Sequence, residues 1–190
     1  MRAIPIVVLG SSLLVIDAAR AADLYQVDGT HSMPTFTFNH LKLSSFRGRF
    51  DSVSGTVTLD RAQHGGNAEI VVDMNSVSTG VAQLDNFLKG PRFFDTARYP
   101  VATFKSSSFT FSGEQLVSLV GNLNLHGVTR PLALAVTFFS CREHPLLKVP
   151  SCGADAVATI KRSEFGLDAF ADNDGDEVRL DVAIEVLQKP

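Results

Sequence analysis

Alternation of apolar and polar residues runs through most of the chain and constrains its fold more than any other feature. Residues 35–40 place Phe and His on one face and Thr and Asn on the other, and residues 178–186 place five branched aliphatic side chains on one face. A period of two is typical of a β-strand with one buried face. The same period recurs in eight to ten segments in all, which predicts a sandwich or a closed barrel.

One helical stretch interrupts this pattern. Residues 81–89 carry apolar side chains at helical spacing, and Ser78 or Thr79 is suited to cap the start of the helix. The Gly-Pro pair at 90–91 ends it, and residues 93–99 are predicted to form a second short helical piece. The sequence therefore predicts an all-β protein with a short helical insert.

The first 21 residues have the pattern of a secretory signal peptide. Arg2 gives a positive start, residues 3–16 are apolar, and Ala19-Arg20-Ala21 is a cleavage site with small residues at both flanks. We therefore expect a mature domain of residues 22–190 in the periplasm or outside the cell. This length is sufficient for one domain with a sizeable core.

The charge balance excludes several kinds of partner. Removal of residues 1–21 takes two Arg and one Asp from the totals of 17 basic and 20 acidic residues, which leaves 15 and 19 and a net charge of −4. A mildly acidic, mixed surface does not predict binding to nucleic acid. No later segment is apolar enough to form an integral membrane span. The sequence leaves a homodimer open, because nothing marks an interface.

The two cysteines, Cys141 and Cys152, are expected to form a disulfide in an oxidising compartment. The bridge closes a short loop, residues 142–151, and loop entropy assigns it about 3 kcal/mol. A metal site is a poorer interpretation, because the Cys spacing is wrong and His144 is the only nearby His.

No strong catalytic motif is present. An enzyme that uses His31, His40 or His126 as an acid or base stays an alternative, although a histidine bonded to local backbone is the commoner case. The 14 Phe residues, with no Trp, are more informative. They fit either a filled barrel core or an apolar ligand cavity, since barrels of about eight strands accommodate both.

Several motifs, in order along nearly the whole mature chain, resemble the YceI-like family of polyisoprenoid-binding, lipocalin-like proteins. They are the opening Tyr25-Gln26-Val27-Asp28 with His31-Ser32, then Phe36, His40 and Gly48-Arg49-Phe50, the insert with Asp85, Leu88-Lys89, Phe93-Phe94-Asp95, Tyr99-Pro100 and Thr103-Phe104, the hairpin at 121–131, Arg162-Ser163-Glu164-Phe165-Gly166, and Asp176-Glu177-Val178. The Cys-containing loop and the loop at 168–174 depart from the family pattern.

The resemblance implies an extended antiparallel lipocalin-like β-barrel of about eight strands around an apolar pore. It implies a non-enzymatic periplasmic carrier or reservoir of an isoprenoid quinone, a polyisoprenoid or a similar amphiphile, with no metal and no cofactor other than that lipid. A ligand-free structural barrel is a further alternative.

The candidate residues fall into two sets. Asp28, His31, Asp85 and Arg162 are head-group contacts or structural ties, and a buried Asp85 and Arg162 are expected to pair. The candidate ligand-binding residues are Phe36, Phe38, His40, Phe50, Leu84, Phe87, Leu88, Phe93, Phe94, Phe104, Leu123, Leu125, Val136 and Phe138.

Overall fold

The computed structural model describes residues 22–189, apart from the side chains of Asn173 and Asp174, so the predicted signal peptide lies outside the described residues. The described chain contains eleven strands, two α-helices and two 3-10 helices. The strands are β1 Asp23–Val27, β2 Met33–His40, β3 Ser44–Phe50, β4 Val53–Asp60, β5 Gly65–Asp73, β6 Val77–Ser78, β7 Val101–Ser112, β8 Gln115–Leu125, β9 Val128–Glu143, β10 Pro150–Lys161 and β11 Glu177–Gln188. The helices are α1 Ala82–Lys89 and α2 Ala171–Asp174, with 3-10 turns at Met74–Ser76 and Arg162–Phe165.

The strands form one antiparallel sheet that closes into a barrel. The order β1-β4-β5-β7-β8-β9-β10-β11 returns to β1, because β11 also pairs with β1. β2 pairs with β11 just beyond β1, so β1 and β2 are two halves of one interrupted barrel strand. β3 and β4 are likewise two halves of one barrel strand, which is interrupted at Asp51 and Ser52. The predicted eight-stranded antiparallel barrel is confirmed.

The two ends of the barrel differ. The upper end carries the turn at 41–43, the segment 79–100 with α1, the turn at 126–127 and the segment 162–176. The lower end carries the hairpin turns at 61–64, 113–114 and 144–149. The helical insert therefore lies at the upper end of the barrel only. Separately, no helix among residues 22–189 is long and apolar enough to cross a bilayer.

A β-bulge reverses the faces of β9 halfway along its length. Val136 pairs with Ala156 and Phe138 pairs with Asp155, so Thr137 is an extra residue between consecutive pairs. A bulge of this kind moves every later side chain to the opposite face. Phe138 is consequently 57% exposed on the outer surface, and Phe139 faces the interior. The prediction of Phe138 as a wall residue is wrong for this reason.

A second register shift lies on β7, between Ser106 and Ser108, opposite Gly121 of β8. A Cβ atom at Gly121 would collide with the Lys105 carbonyl oxygen and lie 2.7 Å from the Ser106 Cα. The glycine therefore allows close approach of the two backbones at the bulge. A glycine within a strand is typical of such a bulge.

The helical insert is shorter than predicted. α1 begins at Ala82 after Val81, which provides no side-chain cap, and it ends at Lys89, immediately before Gly90, as expected. Thr79 instead binds Asp85: its backbone N–H and Oγ1 donate to the carboxylate at 2.7 and 2.6 Å. Residues 91–98 form hydrogen-bonded turns rather than a second helix.

The predicted disulfide is present. Cys141 and Cys152 are directly paired residues of β9 and β10, and they are bonded to each other. Of the ten residues between them, four continue the two strands, and residues 144–149 form the connection of the hairpin. The bridge therefore fastens the hairpin just inside its turn at the lower end of the barrel.

Candidate functional site

The upper half of the barrel contains a cavity of about 500 Å³. Its walls come from nearly every barrel strand, from α1, and from the segments at 91–98 and 162–170. The lining residues are Phe36, Phe38, His40, Phe46, Phe50, Val72, Met74, Leu84, Phe87, Leu88, Phe93, Phe94, Ala102, Leu123, Leu125, Ile160, Arg162, Leu167, Phe170, Val178 and Leu180. Apart from His40 and Arg162, all of these side chains are apolar. A volume of this size falls in the range of small-molecule sites.

Three aromatic rings form the centre of this wall. Phe36, Phe50 and Phe94 lie with ring centroids 5.6 to 6.1 Å apart and at inclined angles, which is the preferred geometry for aromatic pairs. Gly48 makes room for this cluster, because a Cβ atom there would collide with the Phe36 ring. Gly48 and Phe36 both belong to the motifs that resemble the family, and the Phe36 ring packs directly against the Gly48 backbone.

More exposed aromatic residues surround the upper end of this cavity. The Phe93 ring contacts Phe87 at 4.8 Å and Phe170 at 6.3 Å between centroids, and the Arg92 guanidinium lies 4.8 Å from the Phe170 ring centre. Phe87 and Phe170 are 48% and 42% exposed although both line the cavity. They therefore place the opening of the cavity between α1 and the 162–176 segment.

A second cavity of about 160 Å³ occupies the lower half of the barrel. Leu123 and Leu180 line both cavities, so the two adjoin along the barrel axis. The lower lining is Tyr25, Val57, Leu59, Ala68, Ile70, Phe104, Phe109, Leu116, Leu119, Leu123, Leu132, Leu134, Phe139, Cys152, Gly153, Ala154, Ala156, Leu180, Val182, Ile184 and Val186. This lining contains no charged side chain. The interior is therefore an apolar tube with a wide upper part and a narrow lower part.

Most of the predicted wall residues lie where the sequence places them. Phe104 lines the lower cavity, and Val136 faces inward but packs on the core cluster around Leu134 and Ala156 without lining either cavity. Phe138, on the outer surface, is the exception already described. Those that line the upper cavity are Phe36, Phe38, His40, Phe50, Leu84, Phe87, Leu88, Phe93, Phe94, Leu123 and Leu125.

The predicted wall residues include none from β11 and none from the segment after β10, although both line the cavities. The alternating run Val178 to Val186 was a usable signal for β11, because its buried face had to point into the barrel. Phe170 had no such signal. It lies in an irregular segment with a left-handed backbone, φ 60°, that no periodicity describes.

Arg162 is a buried cation in the wall of the upper cavity, with 9% of its surface exposed. Its Nε donates to the Gly175 carbonyl at 3.0 Å, and its Nη1 donates to the carbonyls of Leu167 and Ala169 at 2.7 and 2.8 Å. The predicted pairing with Asp85 is wrong, because Asp85 binds Thr79 and Arg162 binds backbone oxygen atoms. Arg162 thus holds the 166–175 segment against the barrel.

Asp28 and His31 bind each other at the break between β1 and β2. The His31 Nδ1 lies 2.7 Å from the Asp28 Oδ2, and Thr30 donates to Asp28 from both its backbone N–H and its Oγ1. Burial acts to raise the pKa of Asp28, but the hydrogen bonds from His31 and Thr30 and the charge of His31 lower it to about 2. The hydrogen bond to Asp28, followed by its charge, raises the pKa of His31. This pair ties the two strand halves together.

The three histidines of the enzyme alternative contact different parts of the molecule. His31 is bound to Asp28, and His40 lies beside Phe46 at the upper cavity. The His126 Nδ1 lies 3.2 Å from the Phe165 carbonyl, and its ring packs on Tyr99 with centroids 4.4 Å apart. Only His40 lines a cavity, so the structure does not assemble these histidines into one site.

The fold and the cavities define a closed antiparallel barrel with an apolar tubular interior and one aromatic opening. The model of the YceI-like domain family matches residues 25–186 of the chain. Protein YceI of Salmonella newport (strain SL254) is 30% identical over 182 residues, which cover 94% of each chain. The chain therefore belongs to the YceI-like family.

Solved structures show the same fold. BcnA of Burkholderia cenocepacia superposes with a TM-score of 0.72 at 24% identity, covering 84% of this chain and 98% of its own. A polyisoprenoid-binding domain from Saccharophagus degradans, implicated in plant cell wall breakdown, gives a TM-score of 0.66 at 22% identity and covers 87% and 98%. The YceI protein of Campylobacter jejuni gives 0.69 at 23% identity and covers 80% and 90%.

Proposed function

We propose that this protein binds a long-chain isoprenoid or a similar single-chain amphiphile inside its barrel and does not convert it chemically. The single observation that carries the proposal is the pair of adjoining apolar cavities along the barrel axis. A relative whose structure is described as a polyisoprenoid-binding domain supports the chemical class of the ligand.

The physical basis of binding is removal of apolar tail surface from water. Each square ångström buried contributes about 25 cal/mol, and a methylene group about 0.8 kcal/mol. A wall of Phe and Leu side chains provides this without directional bonds, so it selects for tail length and width more than for exact chemistry. An isoprenoid quinone and a polyprenyl chain both satisfy these requirements.

We further propose that the protein acts as a carrier or reservoir in the periplasm after cleavage of residues 1–21. The apolar N-terminal run supports export. The mildly acidic charge of the mature chain does not favour attachment to an anionic lipid surface. The cross-strand disulfide also fits an oxidising compartment.

Two matched substitutions test the proposed site. Phe94→Asp places a carboxylate in the aromatic centre of the upper cavity, and Phe138→Asp places the same group on the outer surface. Because burying an unpaired carboxylate is costly, we expect Phe94→Asp to reduce binding of a polyprenol or a quinone by at least roughly tenfold. Phe138→Asp is expected to bind like the wild type.

Binding is measured by native mass spectrometry and by fluorescence titration, after circular dichroism has shown that both variants are folded. Wild-type affinity in a folded Phe94→Asp variant would contradict the assignment of this cavity as the binding site. Equal losses in both variants would show that the effect is not specific to the cavity.

A further inference from the structure

We infer that the upper cavity selects amphiphiles with an anionic head group, a carboxylate or a phosphate, and that Arg162 is the side chain that binds this group. The inference rests on the proposed lipid binding and adds the class of head group and its place in the site. The observations that support it are the burial of Arg162, its hydrogen bonds and its position in the cavity wall.

The first observation is the incomplete bonding of the Arg162 guanidinium. Arginine has five N–H donors. Three of them are used at Nε and Nη1, and the described residues provide no hydrogen-bond acceptor for Nη2. Arg162 lines the upper cavity although it is 9% exposed. Donor capacity of a buried charged group therefore remains next to the space where a ligand would sit.

The second observation is that the charge lacks an ion-pair partner. Among side chains that the structure describes, no carboxylate lies within salt-bridge distance of Arg162, and its three acceptors are neutral carbonyl oxygens. Asp176 is influenced by the Arg162 charge but is bound by the backbone N–H and Oγ of Ser163. A buried cation is unfavourable unless it is paired, so an anion that enters the cavity gains the partner that none of the described side chains supplies.

The third observation gives the orientation of the ligand. His40 and Arg162 are the titratable side chains of the upper lining, whereas the lower lining is apolar except for Tyr25 and the backbone of Gly153. A head group at Arg162 therefore leaves the tail free to extend past Leu123 and Leu180 into the lower cavity. The Nη2 group of Arg162 still has two N–H donors, and it can donate charge-assisted hydrogen bonds to a carboxylate or phosphate oxygen.

The first test needs only the wild-type protein. Long-chain ligands with identical tails and different heads are compared by titration: a carboxylate, a phosphate monoester and the neutral alcohol. Because hydrogen bonds to charged groups are stronger than neutral ones, we expect the better of the two anions to bind at least roughly tenfold more tightly than the alcohol. The order of carboxylate and phosphate identifies which anion the site prefers.

The second test assigns the effect to Arg162. Arg162→Gln is expected to lose the preference for the anion, measured as the ratio of the anion and alcohol affinities, so that a general weakening of binding does not affect the readout. His40→Asn, a change at the other polar residue of the lining, is expected to keep it. If Arg162→Gln does not fold because the 166–175 segment is released, the wild-type comparison and His40→Asn still decide the question.

The outcomes separate this inference from the proposed function. Equal and tight binding of anion and alcohol would overturn the anionic preference and leave lipid binding intact. An anion preference that persists in Arg162→Gln, or that is lost in His40→Asn, would overturn the role of Arg162. If no amphiphile binds, the proposed function fails together with the inference.

Discussion

The lower cavity makes the length of the bound tail a measurable property of the site. Ala156 is 6% exposed and lines the lower cavity but not the upper one. The substitution Ala156→Leu adds three carbon atoms to a space of about 160 Å³. These atoms occupy the space of about three tail carbons, and at about 0.8 kcal/mol per methylene the loss is about 2.4 kcal/mol, or roughly 50-fold in affinity.

The effect should depend on tail length. A short chain that fits the upper cavity alone is expected to bind Ala156→Leu as it binds the wild type, whereas a chain of about twice that length loses the full amount. The matched control is Ala135→Leu, the same change at an exposed position on the neighbouring strand β9. The assay is a titration of a homologous series of amphiphiles, followed by fluorescence or native mass spectrometry.

Two results would refute this reasoning. An equal loss for short and long chains would show that Ala156→Leu disturbs the whole barrel rather than the end of the tail. Unchanged affinity for every chain length would show that ligands do not reach the lower cavity.

Two further predictions concern stability. Asp28, whose pKa is lowered, stabilises the fold above pH 3.8 and loses this effect as the pH falls towards 2, whereas His31, whose pKa is raised, stabilises below pH 6.5 and loses it as the pH rises through its folded value. His31→Asn should therefore lower the Tm more at about pH 5 than at about pH 9, and an equal decrease at both would contradict the role of the pair. Replacing both Cys141 and Cys152 by Ser should lower the free energy of unfolding by about 3 kcal/mol in chemical denaturation, and an unchanged midpoint would show that the bridge does not stabilise the fold.

The period of two is repeated in nearly every strand, which was sufficient to predict a sandwich or a closed barrel, and the resemblance to the YceI-like family favoured the barrel. Burial of one face of a curved sheet produces that period directly. The wall residues on β2, β3 and α1 followed for the same reason, since their apolar faces have nowhere else to point. The all-β class and the inward-facing side chains of these elements were therefore predictable from local patterns, but those patterns did not distinguish a filled core from a cavity.

Register was not predictable, and Phe138 shows why. The segment 132–138 alternates without a break in the sequence, yet the bulge at Thr137 turns Phe138 outward and Phe139 inward. The bulge depends on pairing with β10, which a local pattern does not encode. The partners of Asp85 and Arg162 were unpredictable for a related reason, because both bind polar groups in irregular segments.

The interrupted strands are another feature that local sequence patterns do not predict. Residues 22–189 contain eleven strands, but β1 with β2 and β3 with β4 occupy single positions of the barrel. Turn residues mark the breaks in the sequence. β1 and β2 form one barrel position because both pair with β11, and β3 and β4 form the next because they pair with β2 and β1.

Whether the barrel holds an amphiphile is measured by the mass of the exported protein under native conditions. The full chain is produced in a bacterial host with its own N-terminal segment, purified without detergent, and analysed by native mass spectrometry before and after extraction with organic solvent. We expect an excess mass that disappears on extraction, with a long-chain lipid in the extract. A protein without excess mass that also stays empty after incubation with quinones, polyprenols and long-chain carboxylates would show that the barrel does not hold an amphiphile.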